Sequence, residues 1–249
     1  MSGYCNTMKH EKNIIISGGS GYLGSAIVEK CLNEGNSVVS LSRGTGKAFR
    51  QQSKLFRHIS CDIGDEQSVK AVVKKIVSEF SEIHAVVHCA SAPVKREQVL
   101  SESAEDFILQ FSVNVFGGFY LFKHVAPFLL NGSVVIGITT KAVHYPGERM
   151  KSGSYMPAKS ALSELLRTMR GELHQSGVRV CEVAPGFMPG GLNRDIPKPV
   201  MDFILRKSEP AEVTSPKEVA NVITNIISGS MDTVDGKIFM LPGGELAEM

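Results

Sequence analysis

The chain contains no tryptophan and only five cysteines, Cys5, Cys31, Cys61, Cys89 and Cys181, which are odd in number and never spaced as Cys-x-x-Cys. That pattern argues against a disulfide framework and against a zinc site, so no metal is expected and a reducing cytoplasm is the expected setting. Charge of one sign is also missing. The 27 basic and 25 acidic residues leave a net charge of +2, with no basic run longer than Lys74-Lys75 or Lys95-Arg96. That balance implies neither nucleic acid nor an acidic membrane surface as a partner. A membrane-spanning helix needs about 20 consecutive apolar residues. The most apolar long stretch, Val113 to Ile138, is interrupted by Lys123, His124, Asn131 and Gly132, so no membrane association is expected. Residues 1–12 are polar, without an apolar segment, and are expected to be an extension that is neither a secretion signal nor an anchor. The last absence is local: no Asp or Glu lies between Gly35 and Ala48.

What is present is an α/β rhythm. With 249 residues, 43% hydrophobic and 21% charged, the chain is long enough for one large core, and residues 13–249 are expected to form a single domain. Asn13 to Ser17 reads as a strand buried on both faces, followed by Gly18-Gly-Ser-Gly-Tyr-Leu-Gly24 and a helical pattern through Leu32. Gly18, Gly21 and Gly24 supply a tight turn, a close backbone approach and a close helix contact, with a helix N-terminus facing the ligand; this is a nucleotide-binding arrangement. Further strands are expected at 37–42, 56–61, 83–89, 133–138, 178–184 and 237–241. Helices are expected at 65–80, 104–130, from Tyr155 through Leu173, and 216–227. The alternation implies a doubly wound parallel sheet of about seven strands, with helices on both faces and ligand sites at the carboxyl ends of the strands.

The second strand ends in Ser42-Arg43, where a dinucleotide fold would offer an acid to the adenosine ribose. A guanidinium there suits a 2′-phosphate, so NADP(H) is expected rather than NAD, with Lys47 and Arg50 as helpers. Tyr155 and Lys159 stand four residues apart, on one face of a first helical turn that tolerates Pro157. A neighbouring ammonium is expected to lower the phenol pKa toward the range useful for proton transfer. The stretch 186–216 breaks the rhythm and reads as a substrate-binding loop, with Phe187, Met188, Leu192, Ile196 and Met201 forming an apolar pocket.

The combined set of Gly18/Gly21/Gly24, Asp62-Ile63, Asn114, Thr139-Thr140, Tyr155-x-x-x-Lys159 and Pro185-Gly186 resembles the short-chain dehydrogenase/reductase family over nearly the whole chain. The resemblance implies a single-domain Rossmann fold. It also implies a catalytic group in which Tyr155 gives a proton to the substrate carbonyl, Lys159 holds the nicotinamide ribose, Asn114 positions a relay water and Thr140 hydrogen-bonds the carbonyl. Implied cofactor contacts are Gly18, Ser20, Gly21, Tyr22, Leu23 and Gly24 in the glycine turn, then Ser42, Arg43, Asp62, Ile63, Ala90 and Ser91 after the next three strands. Pro185, Gly186 and Met188 complete them, with Tyr155 and Lys159. The implied activity is reduction of a 3-oxoacyl thioester or polyketide-type ketone, small or carrier-tethered. The alternatives are an alcohol dehydrogenase acting on a small cyclic or secondary-metabolite substrate and a catalytically idle NADP-binding subunit. Arg167 and Arg170 are candidate contacts for an acidic carrier. A homo-oligomer, dimer or tetramer, is the family's habit, and Phe119, Phe122 and Leu166 are candidate contacts for it. Three departures from the family pattern stand out. A threonine replaces the usual serine, with Thr139 as the competing position. Tyr22 stands where smaller reductases have glycine. His88-Cys89-Ala90-Ser91 replaces Asn-Asn-Ala-Gly, with His88 expected to be a core residue and Cys89 a small buried hydrophobe.

Overall fold

A computed structural model describes residues 11–44, 53–145, 151–207, 213–231 and 233–249. Lys47, Arg50, Cys5 and most of the 1–12 extension lie outside the described residues. The sheet is built from β1 (Asn13–Ser17), β2 (Ser37–Ser42), β3 (Phe56–Ser60), β4 (Ile83–His88), β5 (Leu129–Ile138), β6 (Arg179–Pro185), β7 (Lys237–Leu241) and β8 (Glu245–Glu248). Its strand order is β3-β2-β1-β4-β5-β6-β7-β8, parallel throughout except that β8 runs antiparallel to β7. The chain steps outward from β1 to β3 and then crosses back to β4, so the direction of winding reverses between β1 and β4 and opens a crevice there.

Alternation along each strand divides the core. Ile15, Val86, Val135 and Val180 face one layer, formed by α2 (Glu66–Val77), α4 (Gly117–Val125) and α5 (Tyr155–Leu173). Ile14, Ile16, Val87 and Ile136 face the other, formed by α1 (Tyr22–Asn33) and α7 (Pro216–Ser228). Both faces of the strands are thus covered, which is why they read as continuous apolar runs. Asp65 starts α2 by accepting from the Gln67 and Ser68 amides at 3.3 and 3.0 Å. Asp65→Ala is expected to lower stability by about 1 kcal/mol. The check is a lower denaturant midpoint with an unchanged slope.

Two expectations need correction. The sheet has eight strands rather than about seven, because Gly243 and Gly244, at φ 98° and 64°, reverse the chain after β7 and lay β8 along its edge. Such dihedrals suit glycine and make the tight return possible. The helix expected over 104–130 is also broken. It consists of α3 (Ala104–Phe111), a wide π-turn at Ser112–Phe116, α4, and a short 3₁₀ turn at Ala126–Phe128 containing Pro127. The fifth strand therefore begins at Leu129, not at 133, and pairs with β4 through a bulge between Leu129 and Val134. Only Leu129 and the residues from Val134 onward pair with β4; Leu130 to Ser133 bulge out between them, with Ser133 Oγ accepting from the Leu130 amide at 3.0 Å.

Candidate active site

A cleft of about 800 Å³ opens at the carboxyl ends of the strands, over the crevice between β1 and β4. The glycine turn forms its floor. Gly18 has φ +71°, and a Cβ there would lie 2.6 Å from the Ala90 backbone; a Cβ at Gly24 would lie 2.1 Å from the Gly18 carbonyl oxygen. The turn therefore packs backbone on backbone. Gly21 precedes α1 with no side-chain cap, and no acidic residue stands in the first turn of that helix. Its first N–H groups and positive end are thus left facing the cleft, a cradle suited to an anion. The Ser20 hydroxyl donates to Ser42 Oγ at 2.7 Å, tying the turn to the end of β2.

Most of the expected cofactor residues converge on this cleft. Gly18, Ser20, Gly21, Tyr22, Leu23 and Gly24 line it from the turn, and Ser42, Arg43, Asp62 and Ile63 from the ends of β2 and β3. Ala90, Ser91, Pro185, Gly186 and Met188 line it from beyond β4 and β6. Arg43 is exposed at the rim. Tyr22 does more than pack beside the turn: its hydroxyl donates to the Pro189 carbonyl at 3.0 Å, reaching across to the substrate loop. Of the loop residues expected to form an apolar pocket, Phe187, Met188 and Leu192 reach the cleft. Ile196 is buried away from it, and Met201 lies outside it on α6 (Lys198–Lys207).

Tyr155 and Thr140 share the opposite wall, and the Thr140 hydroxyl favours the ionised phenol. Thr140 Oγ1 also donates to the Pro185 carbonyl at 3.3 Å. Thr139, its rival, also borders the cleft, but its hydroxyl is engaged by Glu182, to which it donates. Lys159 lies behind the wall, 3% exposed, with Nζ donating to the Ile138 carbonyl at 2.8 Å and standing 5.8 Å from the Tyr155 ring centroid. The expected lowering of the phenol pKa does not occur in the free protein. Burial pushes Tyr155 up to about 12, assisted by the nearby Cys89 thiol and opposed by the Thr140 hydrogen bond. Burial likewise pulls Lys159 down to about 8. Desolvation outweighs attraction: the ammonium is held to a backbone carbonyl and adds nothing resolved to the phenol's shift.

Asn114 sits in the π-turn, fully buried, donating to the Gln110 carbonyl and to Gln110 Oε1 at 2.9 Å each. Its Oδ1 is buried without a partner. Its carbonyl oxygen is 3.1 Å from His88 Nε2, and His88 Nδ1 is 2.8 Å from Ser17 Oγ. His88 is a hydrogen-bonded core residue whose pKa burial pulls down to about 3. Cys89 is half-buried: it packs against the core as expected and also borders the cleft. Sequence reasoning missed the π-turn, Gln110 and Glu182. Gln110 carried a faint signal, four residues before Asn114, and Glu182 a stronger one, as the lone carboxylate in an apolar strand. Among the described residues no cluster of metal-ligating side chains occurs, and no helix is long and apolar enough to cross a membrane.

With this geometry established, comparison with known proteins identifies the class. A family model described as Enoyl-(Acyl carrier protein) reductase matches residues 20–245. The chain belongs to the short-chain dehydrogenase/reductase family, oxidoreductases that use nicotinamide cofactors and act on alcohol and carbonyl groups. It is 27% identical over 188 residues to the 3-oxoacyl-(acyl-carrier-protein) reductase FabG of Thermotoga maritima, covering 74% of each chain. It is 27% identical over 192 residues to the 7alpha-hydroxysteroid dehydrogenase of Escherichia coli, covering 76% of this chain and 74% of that one. The 3-hydroxyacyl-CoA dehydrogenase type-2 of Bos taurus is 25% identical over 260 residues, with 98% of both chains covered. A short-chain dehydrogenase/reductase from Serratia marcescens shares the fold, with a TM-score of 0.82 at 21% identity and coverage of 94% of this chain and 97% of that one.

Proposed function

We propose that this chain is an NADPH-dependent carbonyl reductase that converts a ketone to a secondary alcohol, with a 3-oxoacyl thioester or polyketide-type ketone, free or carrier-tethered, as substrate. The observation that carries the reading is Tyr155 beside Thr140 on the cleft wall, with the buried Lys159 ammonium behind it. The fit to a dinucleotide rests on the uncapped start of α1 and the Gly18–Gly24 backbone contact, a cradle that a Cβ would fill. When bound, the reduced nicotinamide supplies the hydride.

The chain's own residues do the remaining work. Tyr155 gives its proton to the carbonyl oxygen, and Thr140 donates a hydrogen bond to the same oxygen. Lys159 holds the cofactor ribose and returns a proton to the phenol, while Asn114 Oδ1, buried and unpartnered, holds the water that feeds Lys159. Gly18, Ser20, Gly21, Tyr22, Leu23 and Gly24 form the cradle, Ser42, Asp62, Ile63, Ala90 and Ser91 bind the adenosine half, and Pro185, Gly186 and Met188 border the nicotinamide.

The preference for NADPH rests on Arg43 at the cleft rim and on the absence of any carboxylate from Ser42 to Gly44. Arg43→Ala is expected to weaken NADPH binding by about tenfold to a hundredfold, from the loss of charge-assisted hydrogen bonds, and to leave NADH nearly unchanged. Cofactor fluorescence titration is the check, and equal losses for both cofactors would refute the preference.

Phe187, Met188 and Leu192 give the substrate end an apolar lining, which suits acyl chains. It also favours the second reading, an alcohol dehydrogenase acting on a small cyclic or secondary-metabolite substrate; comparing turnover of thioesters and free ketones separates the two. Arg167 and Arg170 lend the carrier little support, since they pair with Glu164 and Asp235 at 2.7 and 3.0 Å. The homo-oligomer reading draws on exposed Phe107, Phe116 and Phe119; Phe122 and Leu166 are core residues instead.

A further inference from the structure

Glu182 is the one carboxylate fully buried among the described residues, and it lies in the middle of β6, opposite Gly137 of β5 and Ile238 of β7. Burial of this kind is costly unless every oxygen is engaged. Both oxygens are. Oε1 accepts from Thr139 Oγ1 and lies 2.5 Å from His144 Nε2, and Oε2 accepts from Ser163 Oγ at 2.6 Å. The three donors come from three places: the end of β5, the chain leaving it, and α5. An ionised carboxylate, which only accepts, matches that set.

Two of the donors are neighbours of the catalytic group. Thr139 adjoins Thr140, whose hydroxyl meets the Tyr155 phenol. Ser163 lies one helical turn beyond Lys159 on the same face of α5. Around Lys159 stand Tyr155 on its own helix and, at the end of β4, His88, held neutral by burial, and Cys89, which favours the charged lysine. Glu182 is the carboxylate placed to act on it, bonded to Ser163 one turn along α5 and to Thr139, which follows the Ile138 carbonyl that Lys159 holds; its influence comes after that of Cys89.

We propose that Glu182 is a positioning residue for Thr140, Tyr155 and Lys159, fixing the end of β5 against α5 and supplying the negative charge that balances a lysine buried behind the cleft. The proposal rests on the carbonyl-reductase reading for its kinetic consequence, but not for its charge consequence. Supporting groups that orient a reacting group through one intervening side chain commonly matter tenfold to a hundredfold.

The test compares the full chain with Glu182→Gln, which keeps the size and one acceptor oxygen but removes the charge and turns the other oxygen into a donor, and with Ser163→Ala, which removes one hydrogen bond and keeps the charge. The Lys159 ammonium is titrated by NMR of labelled lysine, assigned by its loss in Lys159→Met. The expected result is a Lys159 midpoint that is lower in Glu182→Gln and unchanged in Ser163→Ala. The alkaline limb of the pH–rate profile for NADPH-dependent ketone reduction should move with it. An unmoved Lys159 midpoint in a folded Glu182→Gln chain would overturn the proposal. If Glu182→Gln does not fold, Thr139→Val carries the test: kcat should fall about tenfold with NADPH affinity unchanged, and an unchanged kcat overturns the positioning role. A wild-type chain that reduces no ketone would defeat the reductase reading alone, since the lysine titration needs no turnover.

Discussion

Replacing Tyr155 with phenylalanine is expected to lower kcat for ketone reduction by about a thousandfold, within the 10²–10⁴ range for a general acid, while leaving cofactor affinity within about twofold. The substitution removes one hydroxyl, and the hydroxyl's protein partner is Thr140, so little of the cleft wall depends on it. The free protein holds the phenol protonated at neutral pH because burial raises its pKa to about 12. The titrating group in the working range is then Lys159, near 8. Reduction consumes a proton, so the wild-type rate should decline as pH rises through about 8, and the residual rate of Tyr155→Phe should not follow that limb.

Stability does not produce the same decline. Lys159 has a folded-state pKa below its ordinary 10.5, so its burial destabilises the fold most fully below about 8, and that penalty is relieved as pH rises from 8 toward 10.5. Tyr155 works in the opposite sense, since its raised pKa erodes stability only above its ordinary value of 10. Loss of rate above pH 8 in a chain that remains folded by circular dichroism is therefore a property of the site. A Tyr155→Phe chain that retains a tenth or more of the wild-type rate would remove the phenol from the mechanism.

Gly24→Ala should have the largest effect on the structure. Its Cβ would stand 2.1 Å from the Gly18 carbonyl oxygen, 2.8 Å from the Gly18 carbonyl carbon and 2.9 Å from the Gly19 Cα. All three are backbone atoms of the turn itself, so no side chain can swing aside, and α1 must move off the sheet. Overpacking of this kind destabilises by about 1–3 kcal/mol. A displacement of about 1 Å in a positioning element can lower activity about a hundredfold, and NADPH binding should fall correspondingly. Gly171→Ala on α5 is the control: nothing lies within 4 Å of its Cβ position and its φ is helical. There alanine should stabilise by about 0.5–1 kcal/mol. Denaturant midpoints and NADPH titrations of the two variants, measured together, separate a general response to alanine from the close contact in the turn.

The identity of several parts follows from local sequence alone. The strand before Gly18 and the helix after Gly24 could be read from the buried run Asn13–Ser17 and the glycine spacing, because a turn that must admit backbone to backbone leaves no choice of residue. The parallel order could be read from the alternation of strands and helices. Pro216 behind Ser215 marked the start of α7, and the structure closes it with a reciprocal bond between Ser215 and Glu218. Tyr155 and Lys159 could be placed on one face from their spacing.

Other properties depend on groups that are distant in sequence. The phenol pKa rises rather than falls because its value depends on how much of the chain is packed around it, and spacing along a helix contains no information about that. Thr139 and Thr140 have the same chemistry and adjacent numbers; pairing of β5 with β6 turns one toward Glu182 and leaves the other with Tyr155. The break of the long helix at Ser112–Phe116 places Asn114 beside His88 of β4, and apolar continuity in the sequence hides that break. The sequence by itself thus determined most of the elements and the main residues that hold chemistry, because propensity, period and turn residues act over a few neighbours. Only the tertiary structure decided the protonation of Tyr155 and Lys159 and the role of Glu182, because desolvation and hydrogen-bond partners come from strands and helices that meet only once the chain has folded.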